Sequence, residues 1–368
     1  AVFFIYFSPE IICVEYMTCE VFQLDKALIL NALSEKRNPI RNNPLTVLLR
    51  LSLIFLFLSG CSGQSSTPVQ TWRHAEEGAY AANISADASL AVVSSVTGGI
   101  SVWDLEQNIK RYTWQHQGEG NNLVANVHIA FDNSYVVTSD REAFALWNVA
   151  SGDPEGFWRI DESSIRDVAV SNQGRGILVA RGNGKVMFFE PKTGRRLEFL
   201  GHQEKVNSVD ISPNGFYALT GGNDYTAYLW DTRTGQVIHR FAHSSRVTKV
   251  ALDDNGRYGF TADSKRDARI WDLATGAEVS NLHYLARQKI FSTAVFSQDG
   301  QYLLTGSPAK RLNLWRVSDG NELQEWQVSP REGSRPQTAV VYGVGFAKNN
   351  QVVSESSSGL AEFWQMNQ

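Results

Sequence analysis

From residue 69 onward the chain alternates short apolar runs with polar turns, and helical periodicity is scarce. The runs are rich in Val, Ile, Leu, Thr and aromatics and are bounded by Asn, Asp, Gly and Ser, the pattern of short strands joined by tight turns. A longer period is superimposed. A large aromatic closes the segments VWDL, LWNV, FFEP, LWDT, IWDL, LWRV and FWQM, at Trp103, Trp147, Phe189, Trp230, Trp271, Trp315 and Trp364, with spacings of 44, 42, 41, 41, 44 and 49 residues. Eighteen or nineteen residues before each, an apolar residue opens a polar turn such as ISPNGF or FSQDGQ, and a new apolar run begins six residues into it. Five residues past the aromatic stands Gly152, Gly194, Gly235, Gly276 or Gly320, with Asn108 in the first repeat. Glycine and asparagine tolerate positive φ, so these positions predict hairpin turns that need a left-handed residue. Eleven residues past the aromatic another large apolar side chain appears: Trp114, Trp158, Leu200, Phe241, Leu282 and Trp326. Each repeat therefore predicts four strands.

The last repeat stops four residues after Trp364 and has no room for its fourth strand. The missing piece lies at the other end. Val69–His74 (VQTWRH) matches Lys110–His116 (KRYTWQH), with Trp72 at the Trp114 position and His74 at the His116 position. An N-terminal strand that completes the last repeat closes a ring and removes an open sheet edge.

Four strands in 40–45 residues with a Trp-Asp signature resemble the WD-repeat β-propeller family, over residues 69–368. The resemblance implies an all-β, seven-bladed WD-type propeller closed by pairing of the N-terminal strand with the last blade. The best-matched repeat reads GHQEKVNSVDISPNGFYALTGGNDYTAYLWD, and there the family's buried hydrogen-bond tetrad maps onto His202, Thr220, Asp224 and Trp230. Thr97, Arg141, Asn183, Lys265, Ala309 and Ser358 occupy the Asp224 position elsewhere, so the tetrad is expected complete once only. Four of the seven histidines (His74, His116, His202 and His243) fall at one repeat position, which favours structural roles over a metal ring.

The segment ahead of the propeller changes the picture. Residues 51 to 63 read LSLIFLFLSGCSG, with Arg37, Arg41 and Arg50 upstream. The apolar run is far short of the roughly 20 residues that span a bilayer, and its form is that of a secretory signal. Leu58-Ser59-Gly60-Cys61 resembles the bacterial lipobox, which implies cleavage before Cys61, acylation there, and, with Ser62 following, sorting to the outer membrane facing the periplasm. Residues 1–60 are thus expected to be leader and signal peptide, with initiation nearer Leu45 or Val47, and 61–68 an acylated, flexible tether. Cys13 and Cys19 fall in the leader, leaving Cys61 as the one thiol beyond it, which suits an oxidising periplasm.

Residues 1–60 hold five Lys/Arg and five Asp/Glu, so the net charge of -4 belongs to the remainder and argues against general nucleic-acid binding. Catalytic motifs are absent: no G-x-S-x-G, H-E-x-x-H, P-loop or Rossmann fingerprint occurs. No cofactor or metal is implied. The expected function is a lipid-anchored, monomeric, non-enzymatic scaffold that binds envelope proteins. The alternative is a propeller enzyme or a quinone- or metal-binding carrier using the central channel. Quinoprotein-like propellers place tryptophan about four residues after the turn glycine; here the large residue comes six after, as in Gly152 to Trp158, which favours the WD-type reading. In the WD family the turns between second and third strands share a face with the connections between blades. On the last three blades those segments carry Arg246, Lys265, Arg266, Arg287, Lys289, Lys310, Arg311, Arg331 and Arg335, against Asp263, Asp267 and Glu332. The long insertion 329–336 lies there too. This basic face is the expected contact for an anionic partner.

Overall fold

A computed structural model describes residues 67–116, 123–284 and 290–367. The described strands form seven four-stranded antiparallel sheets. Six are continuous in sequence and span 81–114, 126–159, 165–199, 206–242, 247–281 and 293–327, here blades 1 to 6. Blade 7 consists of Val341–Ala347, Gln351–Ser356, Leu360–Gln365 and, as its fourth strand, Gln70–Arg73. The closing pair is antiparallel, with Trp72 opposite Ala361 and Thr71 opposite Glu362. The fold is therefore a seven-bladed propeller whose ring is closed by the N-terminal strand.

The turn residues behave as their chemistry requires. Asn108 and Gly152, Gly194, Gly235, Gly276 and Gly320 all adopt positive φ, between 54° and 81°. Gly320 allows nothing larger: a Cβ there would lie 2.1 Å from the Asn281 carbonyl oxygen of the preceding blade.

The two aromatic positions of the repeat meet across blade boundaries. Trp114 of blade 1 stacks on Trp147 of blade 2 at 4.9 Å, Phe199 on Trp230 at 4.6 Å, and Phe241 on Trp271 at 4.4 Å. Trp158 meets Phe189 edge-on at 5.0 Å. At these four junctions a blade buries its fourth-strand ring against the third-strand ring of the next, so the core is a series of inter-blade layers.

Two expectations need correction. Leu200 is 63% exposed, and Phe199 fills the position assigned to it, because the fourth strand of blade 3 ends at Phe199 opposite Val186. Trp72 does not repeat the role of Trp114: it is half-buried and packs edge-on against Phe363 of its own blade. At the junction of blades 7 and 1 the His74 ring stacks on Trp103 instead, at 4.3 Å.

At the axis the first strands are tied blade to blade. The Ile129 N–H bonds to Asn83, Val170 to the His128 ring, Val209 to Asp167 and Leu252 to Asp210, the last at 2.7 Å. A second bond joins the Val250 N–H to Ser208. These side chains satisfy the inner strand edges, which would otherwise face a narrow channel unpaired.

Candidate functional site

Four histidines sit in four different junctions, each facing a carboxylate. His202 Nδ1 lies 3.0 Å from Asp224 and Nε2 2.9 Å from Thr220 Oγ1. His74 Nδ1 is 3.0 Å from Glu355, His116 Nδ1 3.6 Å from Asp140, and His243 Nδ1 3.5 Å from Asp267. The histidines do not converge on one centre.

The tetrad expectation is corrected twice. In the best-matched blade the chain of contacts stops at Thr220: Trp230 is fully buried but its indole N–H makes no hydrogen bond. In blade 5, where Lys265 holds the Asp224 position, Asp267 supplies the carboxylate, His243 meets Thr261 Oγ1 at 2.8 Å, and Trp271 donates to the same oxygen at 2.7 Å. In blade 2 Asp140 stands in for Arg141 and Trp147 donates to Thr138 Oγ1 at 2.8 Å, but His116 Nε2 faces the Thr138 carbonyl at 3.4 Å. The carboxylate sits one residue before or two after the aligned position, where a fixed spacing misses it.

Electrostatics follow these contacts. Burial works to raise the Asp224 carboxyl, but bonds from His202 and from the backbone N–H groups of Gln203 and Thr226 outweigh it and hold it below its usual value. Burial lowers the His116 and His243 imidazoles despite the carboxylates beside them, which favours neutral rings.

The basic residues lie on the face that carries these junctions. The Ser264 N–H bonds to the Arg246 carbonyl at 3.0 Å, and Lys310 N–H to the Ala339 carbonyl at 3.0 Å, so turns between second and third strands sit directly beside connections between blades. Arg246, Lys265, Arg266, Arg331 and Arg335 are exposed, and Lys310 is half-buried in a left-handed conformation at φ 64°. Arg331 reaches across to the Glu77 carbonyl of the connection between blades 7 and 1. Arg311 is exposed but turns to the blade's outer strand, where it pairs with Glu325. Arg287 and Lys289 lie outside the described residues, as does Cys61. The acids flanking Lys265 turn inward: Asp263 and Asp267 are 0% and 9% exposed. Across the ring the same face carries exposed Glu142, Asp161 and Glu162 on blade 2 and its connection to blade 3.

Sequence reasoning missed the axial clasp. Its signal was a polar residue interrupting an apolar first strand, one repeat length before its acceptor strand, as with Asp167 and Asp210 in DVAV and VDIS. His128, unassigned from sequence, also lies 3.4 Å from Asp210 across blade 3.

With fold and site in place, comparison with known proteins is informative. The family described as WD domain, G-beta repeat matches residues 194–231 and 235–272. Polyadenylation factor subunit 2 of Cryptococcus neoformans var. neoformans serotype D, in each of two strains, is 33% identical over 86 residues. The match covers 23% of this chain and 12% of that protein. The fold is a seven-bladed propeller, and two of its repeats match the WD40 repeat.

Proposed function

We propose that this propeller is a non-enzymatic scaffold that docks an acidic protein surface on the face over blades 5 to 7, and that an acyl group on Cys61 holds it at the bacterial outer membrane, facing the periplasm. The observation that carries the docking assignment is the charge arrangement of that face. Arg246, Lys265, Arg266 and Arg335 are exposed, while the neighbouring Asp263 and Asp267 turn inward. Exposed Glu76, Glu77 and Glu332 lie on blade 7's side of the same face, so the basic patch is centred on Arg246, Lys265 and Arg266 of blade 5 and favours one orientation of an incoming acidic partner. The scaffold is rigid there, because neighbouring turns and connections are hydrogen-bonded to each other.

Support for the anchor is the LSGC sequence behind its apolar run. The short likeness to a polyadenylation factor subunit supports the repeat and carries no pathway to this chain. The channel reading has less behind it: Asn83, His128, Asp167 and Asp210 are bound to backbone N–H groups of the next blade.

The test is crosslinking capture from intact envelopes with the parent and with a variant carrying Arg246→Glu, Lys265→Glu and Arg266→Glu. Arg311 is left alone, since a glutamate there would face Glu325. The variant is expected to melt with the parent and to lose its captured proteins. Retention of all of them by a folded variant overturns the assignment of this face.

A further inference from the structure

The junction between blades 4 and 5 differs from its neighbour in one respect that chemistry can use. The His243 side chain is fully enclosed, and its Nε2 lies 2.8 Å from Thr261 Oγ1. Its other nitrogen, Nδ1, makes no hydrogen bond. At the previous junction the equivalent nitrogen of His202 meets Asp224 at 3.0 Å. Here Lys265 holds that turn position and is exposed. The carboxylates come from Asp263 and Asp267, and Nδ1 is left 3.5 Å from Asp267 Oδ2. That distance is long for a hydrogen bond. It is close to the edge, roughly 3.3–3.4 Å, of a tetrahedron of ligands around an ion with bonds of about 2.0–2.1 Å. The ligand atoms of His243, Asp263 and Asp267 all lie within 4.8 Å of one another.

Both carboxylates are already oriented from behind. Asp263 Oδ1 accepts the N–H groups of Lys265 at 2.7 Å and Asp267 at 3.1 Å, which leaves Oδ2 for the hydroxyl of Ser244 at 3.0 Å. Asp267 is gripped by the Arg269 guanidinium, at 2.5 Å from Nη2 to Oδ2. Outer contacts of this kind hold ligating carboxylates in place while leaving each Oδ2 a lone pair.

We propose that His243 Nδ1, Asp263 Oδ2 and Asp267 Oδ2 bind a divalent transition-metal ion of the zinc class, with the Ser244 hydroxyl or a water as fourth ligand. The imidazole then carries its proton on Nε2 and donates it to Thr261 Oγ1, which fixes the ring. Two carboxylates against Arg269 leave one net negative charge for the ion, so binding is weaker than at a site free of cations. The ion would pin the blade 4–5 junction directly beneath Lys265 and Arg266. This goes beyond the docking assignment and does not depend on it.

The test uses the full chain in detergent, stripped with EDTA and titrated with Co2+, with Zn2+ in competition. One equivalent of Co2+ is expected to give the visible absorption of a four-coordinate ion, displaced by Zn2+. Zn2+ should raise Tm and EDTA should reverse the rise. His243→Gln and Asp263→Asn should abolish the absorption, whereas His202→Gln, at the junction whose nitrogen is already bonded, should keep it. Histidine side-chain NMR locates the ligand without any substitution: Zn2+ should shift the ring nitrogens of a buried histidine. A folded parent chain with no Co2+ spectrum at millimolar cobalt, no shifted imidazole nitrogen, or a spectrum that survives in Asp263→Asn overturns the site.

Discussion

Trp230 and Trp271 occupy the same position of consecutive repeats, yet their indole N–H groups differ in what they meet. Trp271 donates to Thr261 at 2.7 Å, whereas Trp230, stacked on Phe199, donates to nothing. Replacement by phenylalanine keeps most of the stacking and removes the donor. Trp271→Phe should therefore cost about 1–2 kcal/mol more than Trp230→Phe, the usual scale of a buried hydrogen bond and its abandoned partner. Parallel denaturant titrations of the two variants check this, and equal costs would refute it. Two buried carboxyls make opposite predictions with pH. Glu362 is 0% exposed; burial raises its pKa, the Ser329 amide and hydroxyl work against that, and the nearby Glu355 charge adds to it. A carboxyl that holds its proton more tightly folded than unfolded supports the fold on the acid side, and that support is lost as pH rises through the folded value. Glu362→Gln should raise Tm at pH 7, with a gain that vanishes below pH of about 4. Asp224 is held below its usual value, so its contribution is present above the unfolded pKa and lost as pH falls through the folded one. Asp224→Asn should lower Tm at pH 7 and converge with the parent in acid.

At the scale of the element, the N-terminal strand is the informative one. Gln70–Arg73 contributes four paired positions to blade 7, and the strand hands on directly to His74, bound to Glu355 and stacked on Trp103 of blade 1. Deleting residues 69–74 removes the pairing, the stack and the partner of a fully buried carboxylate together. Tm should fall sharply, and the exposed edge should promote association at raised concentration. Trp72→Ala should be milder, at roughly 2–3 kcal/mol against the 3–5 typical of an enclosed tryptophan, because the ring is only half-buried where it packs on Phe363 and the small apolar cluster between blades 7 and 1. A deletion that melts like the parent would refute the clasp. The first strands show the same logic at the axis. Asp210 is 8% exposed and its two oxygens accept the N–H groups of Ile211 and Leu252, so it links blades 4 and 5 from within.

For the whole molecule, the proposed docking face and the proposed anchor set what it meets. The exposed Arg246, Lys265 and Arg266 are the contacts proposed for an acidic partner, so capture by that face should weaken steeply with salt. The proposed lipid attachment can be tested apart from folding. Each buried CH₂ contributes roughly 0.8 kcal/mol, and two or three acyl chains make attachment lasting. Cys61→Ser is expected to abolish fatty-acid labelling while leaving the propeller's melting unchanged. Unchanged labelling in that variant would remove the anchor from this account.

Much of the propeller was legible because a repeat multiplies weak signals. One Trp-Asp pair says little, but seven aromatics at 41 to 49 residues, the first six followed five residues later by a residue suited to positive φ, specify strand number, turn position and blade count. The ring closure was legible too, since Trp72 and His74 copy the spacing of Trp114 and His116. Side-chain partnership was legible for His202, Thr220 and Asp224 but not at the diverged repeats, because it depends on direction in space as much as on position in the repeat. A carboxylate one residue early, as Asp140, or two late, as Asp267, still reaches its histidine because the tight turn folds it back over the junction. Phe199 displaces Leu200 because a strand that ends one residue sooner turns the next side chain outward. The axial clasp joins residues 42 apart that no local pattern pairs, and only the wrapping of one blade against the next brings Asp210 to the Leu252 amide. Sequence alone determined the architecture, because backbone pairing and apolar burial follow period. Tertiary structure decided which polar groups meet, because hydrogen bonds fail over an ångström or less and repeats diverge by more than that.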